Sequence, residues 1–274
     1  SSSEATLQYC SQYGADCNGQ DCNGQTVLHH IARRGGENAE KCLRHIFDSS
    51  NLAVKDHSGR TALHLAIAHG NTTIALSLIH NDKAASLNVF DSMGMTPLHL
   101  ASRCCNHKVV VALLKISAVV RGVNHQCAGE NWAALGGGSP FRFKEGSAAK
   151  AKASAETRCV GSRAATFERS GSQPTGPTSL QCAVASACFG GEKGREAGLA
   201  IIAALLATSG VNVRLFDNTD YGPCLPAGHA ATSGVSSPLR LAVDAGDAEV
   251  VRLLLPLCDK TDVSSLNTFI RRAG

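Results

Sequence analysis

Asp91-Ser92-Met93-Gly94-Met95-Thr96-Pro97-Leu98-His99-Leu100-Ala101 is the stretch that decides the fold, because nearly every residue in it has its own physical reason. Asp91 and Gly94 supply a turn. Thr96 is a good N-cap, offering its hydroxyl to an orphan backbone N–H. Pro97 follows at the first helical position, where a missing N–H costs nothing and the fixed φ suits a helix. Leu98, Ala101 and the apolar residues beyond give that helix one apolar face, and Ala101 lets a neighbouring backbone come close.

The same phrase occurs twice upstream, as Asp56-His57-Ser58-Gly59-Arg60-Thr61-Ala62-Leu63-His64-Leu65-Ala66 and as Asp21-Cys22-Asn23-Gly24-Gln25-Thr26-Val27-Leu28-His29-His30-Ile31-Ala32. Thr26, Thr61 and Thr96 follow one another at intervals of 35 residues. A fixed period of this size marks a stack of supersecondary units. The phrase closely resembles the T-P-L-H-x-A signature of the ankyrin repeat, whose period is about 33 residues. That resemblance implies an all-α architecture, an α-solenoid of helix–turn–helix repeats with short β-hairpin turns.

Working outward, residues 1–20 read as the end of an earlier unit, since Gly14-Ala15-Asp16-Cys17-Asn18 resembles the loop that links ankyrin units. The chain is therefore expected to be a piece of a longer protein. Residues 21–123 read as three units, with first helices at about 27–34 and their counterparts, and second helices around Cys42–Phe47, Ile74–Ile79 and His107–Ile116. In 124–175 the apolar period is lost to Gly, Ser, Ala, Lys and Arg. Such a segment cannot bury enough apolar surface to offset its ordering entropy, so a disordered insertion is expected.

Residues 176–256 read as two worn units, starting at Thr178-Ser179-Leu180-Gln181 and Ser237-Pro238-Leu239-Arg240, with an extended hairpin at 217–235 between them. Gly190-Gly191-Glu192-Lys193-Gly194 reads as a flexible connection. Gln181 and Arg240 stand where the resemblance expects His, which predicts loss of the Thr–His bonding between loops and a looser fourth and fifth unit. Residues 257–274 read as a cap or a partial repeat.

Composition narrows the function. Hydrophobic residues make up 43% of the chain and aromatic residues only 4%, which suits helices packed through Leu, Ala, Val and Ile. The net charge is +4, and most of it falls in 129–177, where seven Lys/Arg meet four Glu. Nearly neutral repeats argue against a nucleic-acid groove along them. The longest apolar run, Leu199–Ala207, is too short for a bilayer helix. The twelve cysteines include no C-x-x-C pair, which favours reduced thiols and a cytoplasmic or nuclear location.

No nucleophile elbow, zinc-protease, Walker or dinucleotide motif is present, so no enzyme, no catalytic residue and no cofactor is expected. His29, His64 and His99 recur at one repeat position and cannot converge on one metal ion, so no metal is expected from them; a role in bonding adjacent loops is. Cys10, Cys17 and Cys22 fall at ordinary repeat positions and read as small hydrophobes rather than zinc ligands. Cys104-Cys105 are weighed as a reactive thiol site.

The resemblance implies non-catalytic protein–protein recognition on a concave face. Carried over position by position, that face comprises Gln25, Arg33 and Arg34, then His57, Ser58, Arg60 and His69, then Ser92, Met93, Met95 and Arg103, a mixed basic and apolar strip. Met93 and Met95 stand out, because a turn tip needs no thioether for folding and Met suits an adaptable contact. The expected partner is another protein, with no small-molecule substrate and neither nucleic acid nor membrane. The competing readings are a targeting or regulatory domain of a larger enzyme or membrane protein, and electrostatic recruitment of nucleic acid or lipid through the basic insertion.

Overall fold

A computed structural model describes residues 16–82, 86–127, 176–215 and 237–258. Residues 1–15, 83–85, 128–175, 216–236 and 259–274 lie outside this set, and with them most of the expected insertion, the extended hairpin and the C-terminal cap. The described chain is helical. First helices are α1 (Val27–Arg34), α3 (Ala62–Ala68), α5 (Pro97–Arg103), α8 (Ser179–Phe189) and α10 (Pro238–Asp244). Second helices are α2 (Glu37–Ile46), α4 (Thr72–Asn81), α6 (His107–Leu114), α9 (Gly191–Leu206) and α11 (Ala248–Leu254); the short α7 (Ser117–Arg121) follows α6.

α1, α3, α5, α8 and α10 stack side by side in one layer, and α2, α4, α6 and α9 form a second layer behind them. Leu28, Leu63, Leu98, Leu180 and Leu239 recur at one position of the first helices and are all buried between the layers. No strand forms among the described residues. The expected hairpins are reduced to tight turns in which Asp21, Asp56 and Asp91 each donate their N–H to the carbonyl four residues on.

The bond that repeats most faithfully joins each unit to the next. The Thr26 N–H donates to His29 Nδ1 at 3.1 Å, and His29 Nε2 reaches the Arg60 carbonyl of the following unit at 3.1 Å. His64 does the same between Thr61 and the Met95 carbonyl, and His99 between Thr96 and the His125 carbonyl. A carbonyl can only accept and a backbone N–H can only donate. Each ring is therefore neutral, with its proton on Nε2.

Gln181 overturns the expected loosening of the fourth unit. Its Oε1 accepts the Thr178 N–H at 2.7 Å and its Nε2 donates to the Leu215 carbonyl at 3.1 Å. The amide thus presents an acceptor and a donor in the same order as the neutral imidazole. In the fifth unit Arg240 instead turns along its own helix towards Asp244, with Nε 3.8 Å from Oδ2.

Units three and four stack directly across the interruption. The Cys127 N–H donates to the Pro177 carbonyl at 3.3 Å and the Gly176 N–H to the Cys127 carbonyl at 3.0 Å, so 128–175 leave and re-enter through a closed mouth at the fourth turn tip. Below it, Asn124 brackets the Gly210 carbonyl and the Asn212 N–H, as Asn18 brackets the Ser49 carbonyl and the Asn51 N–H in the first unit. The connection expected at 190–194 is also corrected. Its last four residues form the first turn of α9, and the Cys105 thiol donates to the Gly194 carbonyl at 3.7 Å.

Two outcomes follow from these contacts. Burial depresses the imidazoles of His64 and His99 to about 4, and lowers that of His29 as well. The folded state therefore holds fewer protons than the unfolded chain, so stability is complete above about pH 6.5 and is lost as pH falls towards 4. Urea unfolding should show this acid limb. His64→Gln should hold its pH 7 stability while weakening the limb, and His64→Ala should lose about 1–3 kcal/mol at pH 7 by stranding buried partners; a midpoint constant from pH 7 to 4 would contradict the assignment. Secondly, replacing 128–175 by Asn-Gly should leave the melting temperature unchanged or slightly higher, because the ends already meet and closure cost grows only logarithmically with length. A large drop would show that the segment carries fold stability.

Candidate interaction surface

The turn tips are built by one carboxylate each. Asp56 Oδ1 accepts the Ser58 and Arg60 N–H groups, both at 2.9 Å, and Asp91 Oδ1 accepts those of Met93 and Met95 at 2.9 and 2.8 Å. Asp21 does the same for Asn23 and Gln25. Successive tips are then laced together, since the His57 N–H donates to the Asn23 carbonyl at 3.0 Å and the Ser92 N–H to the Ser58 carbonyl at 2.9 Å. Gly59 permits this approach: its φ is +72°, and a Cβ there would stand 2.9 Å from the Ser92 nitrogen. The result is a row of fixed tips beside the first-helix ends.

The expected interaction residues divide into three groups. Arg33, Arg34, His57, Ser58, His69 and Ser92 are exposed. Arg60 and Met93 are half-buried; Arg60 folds back so that Nη2 lies 2.8 Å from Asp56 Oδ2, and Met93 packs partly on the core. Gln25, Met95 and Arg103 are buried, at 7%, 3% and 8% exposure, and their assignment to the open face is corrected.

Gln25 and Met95 precede the capping Thr, where the chain turns back into the stack. The Met95 carbonyl is held there by the Asp91 N–H and His64, and its thioether joins the core. Arg103 is covered for another reason. α8 has 11 residues against 7 in α5, and its extra turn lies over the α5 C-terminus, where Ser186 Oγ stands 3.3 and 3.1 Å from the Ser102 and Arg103 carbonyls and 2.8 Å from that of Cys182. The tip regularity was readable in the sequence, but the length of α8 was signalled only by Ala183–Phe189 carrying no Gly before 190.

The adjacent thiols do not suit nucleophilic chemistry. Burial pushes Cys104 up to about 12 and raises Cys105 too. Cys105 has φ +55°, the left-handed conformation that Gly70 and Gly246 adopt at the equivalent place, and it closes the first helix of its unit. Among the described residues no group of three or more His, Cys, Asp or Glu is placed to hold a metal ion, and no helix is long and apolar enough to cross a membrane.

The family model for ankyrin repeats matches this chain in three copies, over residues 2–91 and 38–124. Residues 2–124 carry ankyrin repeats. Their stacked helices form an all-α ankyrin solenoid, and helices of the same arrangement resume after the matched region, at Ser179–Phe189. Ankyrin repeats are generally protein–protein interaction modules and typically non-catalytic. No curated protein sequence matches the chain.

Met95→Ser should therefore lower stability by about 2–3 kcal/mol, because it removes a buried apolar side chain and strands a hydroxyl. Ser92→Ala, on the open side of the same tip, should stay within about 0.5 kcal/mol of the parent. Chemical denaturation separates the two, and equal stabilities would return Met95 to the surface.

Proposed function

We propose that this chain is a non-catalytic recognition module that binds another protein along its turn tips and the exposed ends of its first helices. The observation that carries the reading is the laced row of tips, held by Asp carboxylates and by hydrogen bonds from each tip to the one before. Rigid elements lose little entropy on binding, so a modest patch suffices for affinity. His57, Ser58 and Ser92 lie outermost on this row, and Arg33, Arg34 and His69 on the helix ends beside it.

The reading carries the chain's organisation with it. Units at 21–127 and 176–256 form one binding body, and residues 128–175 act as an appendage at its fourth tip; 124–127, expected in the insertion, belong to the stack. A reducing compartment, the cytoplasm or nucleus, fits the nine cysteines of the described residues that are free thiols.

Site-directed photo-crosslinking tests the face. A benzoylphenylalanine introduced at Ser58 or Ser92 should trap a partner that the same group at Ser77, on the second-helix side, does not trap. Equal trapping from Ser77, or trapping from Ser77 alone, would move recognition to the other side of the solenoid.

A further inference from the structure

The open strip of units one and two gathers cations. Arg33 and Arg34 occupy the last turn of α1, both exposed, and neither enters an ion pair among the described residues. A cation is at home at a helix C-terminus, where the carbonyl ends gather, but two side by side exceed what that end requires. The next unit adds Arg60, and then His69 at the α3 C-cap. Burial first, and then the positive charges of Arg33 and Arg60, hold the His69 imidazole below its usual range, which places the three groups in one electrostatic neighbourhood.

The acidic groups of the second and third tips have other work. Asp56 holds Arg60 with one oxygen and the tip N–H groups with the other, and Asp91 is engaged by the backbone of its own tip. The exposed Phe90 lies one residue before the third tip, edge-on to His125 with ring centroids 5.2 Å apart, and no Phe, Tyr or Trp stands among Arg33, Arg34, His57, Ser58, Arg60 and His69 for nucleic-acid bases to stack on. The strip also stops at unit three, where the extra turn of α8 covers Arg103.

We propose that this strip docks an extended acidic segment of a partner protein, with carboxylates set against Arg33, Arg34 and Arg60 and with His57 and Ser58 hydrogen-bonding beside them. This deepens the recognition reading above and rests on it. The neighbouring like charges are then relieved by the partner, and Asp56 holds Arg60 in one place beside its tip.

The probe is a fluorescein-labelled peptide of alternating Glu and Ser, titrated with the full chain at low and moderate salt. It should bind with an affinity that falls as salt rises, and at least about tenfold more weakly to Arg33→Gln/Arg34→Gln. Arg252→Gln, an exposed change on α11, should leave the affinity unchanged. Nuclear magnetic resonance of His69 should show its pKa rising when the peptide is added to the parent chain but not to the double variant. Absence of peptide binding, equal affinity in the double variant, or tighter binding of single-stranded DNA than of the peptide would overturn the proposal. If the parent chain fails to bind the peptide while Ser58 and Ser92 still trap a partner, the acidic chemistry is wrong and the recognition face stands.

Discussion

The structure depends on a single side chain that bonds in two directions. A residue at the third position of α1, α3, α5 and α8 ties the start of its own helix with one atom and the next unit's loop with another. A solenoid has no global core to hold its units in register, so its cohesion is the sum of such neighbour terms. Buried at 1% exposure or less, His29, His64, His99 and Gln181 each meet partners that would otherwise be stranded away from water. The bond is worth more for what its absence would expose than for its own net strength.

The cap-and-turn grammar made the helix starts legible in the sequence, because Thr, Pro, Asp and Gly act within a few residues of themselves. What lay beyond reach was any property set by the neighbouring unit. Met95 and Gln25 look like tip residues by position, yet the tip turns inward at that residue and buries them. Arg103 is exposed in the logic of its own helix and covered by a turn of α8, some 80 residues later in the chain. Gln181 was misread in the opposite sense: taken as a missing His, it is a different molecule with the same order of acceptor and donor.

The surface that remains after these corrections is narrower and more polar than a residue-by-residue transfer suggests. It consists of backbone-fixed tips, exposed histidine and serine side chains, and the two arginines at the end of α1. The two apolar members contribute little: Met95 lies in the core and Met93 leans on it. The sulphur chemistry shrinks in the same way. Cys105 accepts a strained backbone at a place otherwise held by Gly, and the adjacent helix covers its thiol, so it fits as a packing residue rather than a nucleophile.

The one amide among the four inter-unit links gives the array a direction. Three links are imidazoles, which lose their acceptor when they take up a proton, and the fourth, at Gln181, does not titrate in any ordinary range. In acid, the seams after units one, two and three weaken while the seam after unit four keeps its chemistry. Such a stack would come apart progressively from its N-terminal side, shedding the tips and arginines first and leaving the α8 layer as the last ordered remnant.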